Sequence, residues 1–315
     1  MNFAEACGIG TASAIWSAAF YIRSGVGVLA EHDGNIWHVG HGRSLPLGAA
    51  SVIMAIVNVT PDSFSDGGRY GAADAAVAHA LDCVAAGAAI VDIGGESTRP
   101  GAEPVSATEE QGRVLPVIEA LRGATDALIS VDTYRADTAR LAVGAGAHIV
   151  NDVYGLQREP DMAGLAAATG AGLCIMHTGR ERQKLPDLVK DQVFFLTRSL
   201  EIAAAGGVQR SQIVLDPGFG FAKDAAEDLE LMERFSELGS FGLPWLVGTS
   251  RKRFIGALTG REAPERDVGT AATSVILRLK GAAIFRVHNV AINRDALAIA
   301  DAIVQQRAAS GRETS

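Results

Sequence analysis

From residue 51 onward, short apolar runs alternate with longer segments in which apolar residues recur at helical spacing. The apolar runs predict eight strands, at 51–59, 89–94, 127–132, 147–151, 172–177, 212–216, 244–249 and 283–288. They are apolar almost throughout, as expected for parallel strands that are buried on both faces. The segments between and after them predict eight helices, at 72–87, 107–122, 135–145, 160–169, 188–206, 226–238, 267–280 and 293–308.

This alternation predicts the fold class. Eight β-α units in roughly 250 residues are typical of an α/β protein with a (β/α)8 TIM barrel, and a doubly wound open sheet is the alternative. We expect residues 51–310 to form the barrel and residues 1–50 to be an N-terminal extension. Residues 32–37 resemble a hairpin turn, so the extension is either a hairpin that plugs the barrel bottom or a loosely ordered segment.

Composition narrows the function classes. The chain has 315 residues, of which 48% are hydrophobic, and a net charge of −8, which argues against a nucleic-acid-binding face. Its three cysteines, Cys7, Cys83 and Cys174, form no CxxC pair, so we expect a reducing cytoplasm and no disulfide framework. The apolar run at 8–22 is short for a membrane span and has no basic residue before it, so we expect no membrane role.

Polar motifs follow the predicted strands where each strand ends. They are N-V-T-P-D-S-F-S-D-G-G at 58–68, D-I-G-G-E-S-T-R-P-G at 92–101, Asp132, Asn151-Asp152, Met176-His177, D-P-G-F-G-F at 216–221, S-R-K at 250–252, and Arg286 with His288. The carboxyl ends of barrel strands meet at one mouth, where barrel enzymes place their active sites. We therefore expect these residues to lie together.

These motifs resemble those of the dihydropteroate synthase family at all eight strand ends. The resemblance implies a transferase that condenses 6-hydroxymethyl-7,8-dihydropterin pyrophosphate with p-aminobenzoate. The products are 7,8-dihydropteroate, an intermediate of folate biosynthesis, and pyrophosphate. It also implies Mg²⁺ as cofactor, sulfonamides as competitors of p-aminobenzoate, and a homodimer.

The resemblance assigns the pterin ring to five residues. Asp216 accepts the N–H and NH₂ donor edge, since a buried carboxylate suits two parallel donors. Asp132 and Asn151 complete the ring contacts, and Lys252 donates to the carbonyl and ring-nitrogen side. Met176 is also expected in this pocket.

The leaving pyrophosphate needs positive charge and hydrogen-bond donors. Arg286 and His288 are two residues apart on the eighth strand and share a face, and Thr98 and Arg99 reach in from the second loop. Asn58 is the expected ligand of Mg²⁺, a hard ion that keeps several waters. The expected catalytic residues are Asn58, Thr98, Arg99, Asp132, Lys252, Arg286 and His288.

The p-aminobenzoate pocket is assigned to two loops and the seventh strand end. Phe64 and Pro100 wall it, and Ser250, Lys252 and Arg253 lie below. The loops at 60–71 and 95–104 are rich in Gly, Ser and Pro, and we expect them to close when pyrophosphate binds. The family resemblance implies an SN1-like step, in which pyrophosphate leaves before the amine attacks.

Two rival functions and one residue stay open to test. A methyltetrahydrofolate:corrinoid methyltransferase would share the Asp and Asn pterin contacts but would not need Thr98, Arg99, Arg286 and His288 together. A non-catalytic pterin-binding paralogue should have lost part of the pyrophosphate or p-aminobenzoate loops, and this chain keeps both. His177 receives no role, and a structural and a functional reading remain equally open.

Overall fold

The computed structural model describes residues 35–59, 68–97 and 103–311. Its strands are β1 (Asn35–Val39), β2 (Arg43–Leu47), β3 (Val52–Asn58), β4 (Ile90–Gly94), β5 (Leu128–Asp132), β6 (Ile149–Asp152), β7 (Gly172–Met176), β8 (Ile213–Asp216), β9 (Leu246–Val247) and β10 (Ile284–Val287). Its α-helices are α1 (Gly68–Ala85), α2 (Ala107–Arg122), α3 (Ala136–Ala145), α4 (Asp161–Thr169), α5 (Leu188–Ala205), α6 (Ala225–Glu233), α7 (Arg253–Thr259), α8 (Asp267–Leu279) and α9 (Val290–Ala309). Short 3-10 helices lie at Arg210–Gln212, Phe235–Phe241 and Ala263–Glu265.

Strands β3 to β10 form one parallel sheet in the order β8-β7-β6-β5-β4-β3-β10-β9. A single bridge between Leu215 and Trp245 joins its two edges, and the Leu215 amide donates to the Pro244 carbonyl at 3.0 Å. The edges therefore meet and the sheet closes into a barrel. The predicted (β/α)8 fold is confirmed, and the open doubly wound sheet is not what the chain forms.

Alternate residues of each barrel strand face two different cores. Outward side chains such as Ile53, Val91 and Val150 pack against the helices. Inward side chains such as Met54 and Ile149 fill the lower barrel. This two-sided burial accounts for the continuous apolar runs in the sequence. None of the helices in the described ranges is long and apolar enough to cross a bilayer.

The antiparallel hairpin of β1 and β2 lies across the N-terminal ends of the barrel strands. Trp37 is 1% exposed, and its indole N–H donates to the Gln212 carbonyl at 2.8 Å. At Gly172 an added Cβ would lie 2.7 Å from Val39 Cγ1, so glycine permits this contact. The hairpin thus covers the barrel bottom.

The hairpin turn lies later in the chain than the sequence indicated. It falls at residues 40–42, where His41 and Gly42 have φ of +60° and +69°. Residues 35–37, which were expected in the turn, belong to β1, and residues 32–34 lie outside the described part. The pattern of small and polar residues at 32–35 was therefore misread as the turn.

Helix boundaries follow local capping. Helix α2 begins as predicted because Ser106 accepts the Glu109 amide with its hydroxyl, at 3.2 Å. The predicted helix at 226–238 is instead α6 followed by the 3-10 segment Phe235–Phe241. Helix α7 was missed, since seven residues give too little periodicity to recognise.

Candidate active site

The strand ends place the described candidate residues at one mouth. Asn58, Asp132 and Asp216 are the last residues of β3, β5 and β8, and Asn151 lies beside Asp132 in register. Others of the expected set lie around the same rim: Met176 ends β7, Ser250 and Lys252 follow β9, Arg286 lies in β10, and His288 follows it. The structure therefore brings these residues together, as the strand-end pattern predicted.

Arg286 is held by two carboxylates. Its Nε donates to Asp92 Oδ2 at 2.6 Å, and one terminal nitrogen donates to Asp132 Oδ2 at 2.7 Å. Burial raises the pKa of Asp132 to about 7, although Arg286 opposes this shift and Asp92 adds to it. Burial alone would lower the pKa of Arg286, but the two carboxylates more than offset it and keep the guanidinium charged.

Asp216 and Lys252 supply opposite charges on the other side of the mouth. Asp216 Oδ1 accepts the Gly218 amide at 2.7 Å, while Oδ2 accepts no hydrogen bond from the described residues. Lys252 donates to the Phe219 carbonyl and lies 4.3 Å from the Phe221 ring centroid. Burial raises the pKa of Asp216 and lowers the pKa of Lys252 to about 8. The mouth thus offers an acceptor and a donor close together.

Ser250 fixes the ring of His288. The His288 backbone amide donates to Ser250 Oγ at 3.0 Å, and the same oxygen lies 2.8 Å from Nδ1. Ser250 Oγ can donate its proton to Nδ1 or accept one from it, according to the tautomer of the ring. In the tautomer in which Ser250 donates to Nδ1, a neutral His288 carries its proton on Nε2, which makes that nitrogen a donor.

His177 lies beneath the mouth and not on its surface. It is 1% exposed, with Nε2 at 3.0 Å from Asp191 Oδ2 and Nδ1 at 3.0 Å from Lys223 Nζ. Lys223 also donates to the Gly218 carbonyl at 2.8 Å. Burial and the Lys223 charge lower the pKa of His177 to about 3. These contacts identify His177 as a neutral structural residue that supports the loop after Asp216.

Four of the expected site residues lie outside the described part of the chain, and two others lie at its edge or surface. Phe64, Thr98, Arg99 and Pro100 lie outside the described residues. Arg253 is the first residue of α7 and is exposed, and Asn58 is half-buried. The described ranges contain no group of three or more His, Cys, Asp or Glu side chains arranged to hold a metal ion.

Sequence reasoning missed two buried charged residues in this region. Asp92 lies in a motif that was quoted, but it received no role, and Lys223 was not singled out. Neither had a local signal, because burial and partners depend on strands and loops far along the chain. The nearest clue to Asp92 was a lone carboxylate inside an apolar strand.

Comparisons with known proteins agree with this geometry. The family model for pterin binding enzyme matches residues 54–288. A dihydropteroate synthase from Bacillus subtilis (strain 168) is 47% identical over 240 residues, covering 76% of this chain and 84% of the relative.

Solved structures are similar throughout the barrel. The dihydropteroate synthase of Xanthomonas albilineans with 4-aminobenzoic acid is 41% identical, with a TM-score of 0.80 over 84% of this chain and 97% of that one. The Yersinia pestis dihydropteroate synthase in complex with a sulfonamide drug is also 41% identical, with a TM-score of 0.78 over 85% and 99%. The family match, the identity and the shared mouth lead to one conclusion: this chain belongs to the pterin binding enzyme family and, within it, to the dihydropteroate synthases.

Proposed function

We propose that the barrel mouth is where this chain performs dihydropteroate synthesis, with the residue roles given below. The reaction joins 6-hydroxymethyl-7,8-dihydropterin pyrophosphate to p-aminobenzoate and releases pyrophosphate. One observation carries the assignment: Arg286 is bound to Asp132 at 2.7 Å, so a cation suited to phosphate adjoins a carboxylate suited to a pterin. The pyrophosphate and the pterin are likewise adjacent parts of one substrate.

The pterin ring is assigned to the inner part of the mouth. Asp216 keeps one carboxylate oxygen on the Gly218 amide at 2.7 Å, and the other can accept the pterin donor edge. Asp132 and Asn151 provide further contacts, and Lys252 donates to the ring carbonyl side. Met176, which is buried at the end of β7, supplies an apolar contact for the ring.

Pyrophosphate is assigned to the cationic part of the mouth. Arg286 and His288, in the tautomer with its proton on Nε2, are assigned to the group that departs, and Thr98 and Arg99 are the residues expected to join them. Their task is to stabilise the negative charge that develops as the C–O bond breaks. Pyrophosphate then leaves first, in an SN1-like step, and the p-aminobenzoate nitrogen attacks the pterin methylene cation.

Mg²⁺ is proposed as the cofactor. Asn58 presents a hard amide oxygen at the rim, and Mg²⁺ is commonly held by one or two protein oxygens together with phosphates and waters. When bound, Mg²⁺ would neutralise charge on the pyrophosphate.

The p-aminobenzoate pocket is assigned to Phe64, Pro100, Ser250, Lys252 and Arg253. The Xanthomonas relative was solved with 4-aminobenzoic acid and the Yersinia relative with a sulfonamide, so we propose that sulfonamides compete at this site. If the loops at 60–71 and 95–104 must close on pyrophosphate first, p-aminobenzoate should bind weakly alone. Calorimetry with and without pyrophosphate tests this order, and equal affinities would contradict it.

We also propose that the protein is a cytoplasmic homodimer. Helices α8 and α9 expose large apolar side chains, including Val268 at 74% and Ile299 at 66%, as expected of a face that another chain covers. Light scattering should give twice the chain mass, and Val268→Asp should give the monomer. A monomeric wild-type protein would refute the proposed dimer.

The residue assignment is tested with two matched substitutions. Arg286→Lys keeps the charge but loses the fork that binds Asp92 and Asp132, and it should lower kcat/KM roughly 10- to 100-fold. Arg278→Lys is the control, because Arg278 is buried and likewise binds a carboxylate, that of Asp301 at 2.6 Å, together with the Gly48 carbonyl at 2.9 Å, away from the mouth. It should lower Tm while kcat/KM stays near wild type. Pyrophosphate release measures both, and equal losses in kcat/KM would refute the assignment.

A further inference from the structure

Asp92 is a buried carboxylate to which no role has been given. It lies in the middle of β4, faces the barrel interior, and is 0% exposed. Its Oδ2 atom accepts two hydrogen bonds, from Arg286 Nε at 2.6 Å and from Asn151 Nδ2 at 3.1 Å. One oxygen atom therefore connects Arg286 on β10, the cation assigned to pyrophosphate, with Asn151 on β6, which is assigned to the pterin.

The contact with Asp92 decides which way the Asn151 amide faces. A carboxylate oxygen only accepts hydrogen bonds, so the NH₂ group of Asn151 must lie toward Asp92. The carbonyl oxygen of the same amide then lies on the other side, where it can accept a donor from a ligand. With Asp92 absent, the amide could rotate and present a donor in its place.

Asp92 also limits the rotation of Arg286. With Nε on Asp92 and a terminal nitrogen on Asp132, the guanidinium plane is fixed at two points before any ligand binds. A preorganised cation loses less conformational freedom when it binds an anion than a mobile one does.

This carboxylate is costly to the fold. Its second oxygen, Oδ1, has no partner among the described residues, and neither has the hydroxyl of Ser130, its neighbour in register on β5. A buried polar atom without a partner destabilises the folded state. Packing alone would favour an apolar side chain here, so a role in arranging the site accounts for Asp92 better than a structural role does.

We propose that Asp92 is a positioning residue for dihydropteroate synthesis, which holds Arg286 for pyrophosphate and orients Asn151 for the pterin. This inference rests on the proposed roles of Arg286 and Asn151. Asp92 is 0% exposed, and no contact with either substrate is assigned to it. It sets two groups that bind the two parts of one substrate, and its loss should therefore weaken both parts together.

Two substitutions at Asp92 separate its charge from its contacts. Asp92→Ala removes both acceptors, and we expect it to weaken binding of 6-hydroxymethylpterin and of inorganic pyrophosphate, each by roughly tenfold or more. Asp92→Asn keeps an acceptor oxygen in the same place, so it should recover most of the pterin affinity. Ser130→Ala is the control at the same depth in the barrel, and it should leave both affinities within about twofold. Calorimetry measures binding, and melting temperatures show which variants are folded.

The pH profile gives a second readout, which tests whether the charge of Asp92 acts on Asp132 in the site. The charged groups that face Asp132 are Arg286 on β10, Asp92 on β4, Glu110 on α2 and Asp152 on β6. Removing the Asp92 charge should lower the pKa of Asp132. The acid limb of kcat/KM should therefore move to lower pH in Asp92→Asn and stay in place in Ser130→Ala.

The outcomes separate this inference from the proposed function. If Asn151→Ala binds pterin as tightly as the wild-type protein, the proposed pterin role of Asn151 is wrong. If Asn151→Ala weakens pterin binding and a folded Asp92→Ala does not, only the inference about Asp92 is wrong. A double-mutant cycle between these two should be strongly non-additive for the pterin, and additive losses would overturn the inference. Should neither Asp92→Ala nor Asp92→Asn fold, Asp92→Glu is the substitute: it keeps the charge but displaces the carboxylate, so it should weaken binding of both pterin and pyrophosphate, and wild-type affinity for both would overturn the inference.

Discussion

Replacing Asp216 with Asn should damage pterin recognition without destabilising the free enzyme. The two side chains are nearly isosteric, so packing at the end of β8 is retained. Asp216 Oδ1 accepts the Gly218 amide at 2.7 Å, and the Asn carbonyl oxygen can keep that bond. The amide nitrogen must then occupy the position of Oδ2, where it places a donor against the donor edge of the pterin.

The magnitude follows from that mismatch. Losing a charge-assisted acceptor and opposing two donors in a buried site costs about 2–4 kcal/mol, or roughly 30- to 1000-fold. The loss should appear in kcat/KM for the pterin substrate. The effect on folding stability is expected to be the opposite. Burial raises the pKa of Asp216, so the folded protein loses stability as pH rises through that pKa and the carboxyl group ionises. Asn carries no such charge, and Tm at neutral pH should equal or exceed the wild-type value.

A second buried carboxylate in the same loop region gives the control. Asp228 is 2% exposed, and its Oδ1 accepts the Gly220 amide at 2.7 Å. Asp228→Asn should therefore resemble Asp216→Asn in stability and lose less than about tenfold in kcat/KM. Pyrophosphate release and calorimetric melting of all three proteins decide the matter. Wild-type kcat/KM in Asp216→Asn would refute the assignment of Asp216 to the pterin.

The site and the hairpin give four further predictions. The profile of kcat/KM should be bell-shaped, falling below about pH 7 as Asp132 becomes protonated and above about pH 8 as Lys252 loses its proton, and a flat profile across this range would contradict both roles. Chelation with EDTA should abolish turnover and Mg²⁺ should restore it, because the leaving group carries the charge; full activity in chelator would remove Mg²⁺ from the proposal. Trp37→Ala should lower the free energy of unfolding by about 3–5 kcal/mol while kcat at low temperature stays near wild type, since Trp37 packs at the barrel bottom; urea unfolding and pyrophosphate release measure the two effects. A chain that begins at Leu47 should likewise be less stable than the full chain and keep its turnover.

Much of the fold could be predicted from the sequence because its signals are local. Apolar runs that are buried on both faces predicted each barrel strand, and a cap such as Ser106 marks the start of α2 correctly. Strand β9 is the exception. It was expected at 244–249 but spans only Leu246–Val247. Its neighbouring residues pair little with β8, and pairing is a property of two strands that no single segment reveals.

The candidate site was predictable in its members but not in its connections. Asn151, Asp216 and Arg286 follow or end strands, and that position placed them at the mouth. Which side chains hold them is set by residues that are distant in sequence, as with Asp92 and Arg286, which are separated by 194 positions. The pKa shifts depend on the same distant packing, so residue type alone could not supply them.

The short β9 strand makes the β8–β9 junction the weakest part of the barrel wall. One bridge at Leu215 joins these strands, whereas β3 and β4 pair over five residues. Asp216 directly follows Leu215, and Lys252 follows β9, so a pterin held by both would connect the two sides of this junction. Substrate binding and barrel closure would then be linked equilibria, and hydrogen exchange at the Leu215 amide should slow when the pterin binds. The bound pterin would then bridge the β8–β9 junction and strengthen the closure of the barrel.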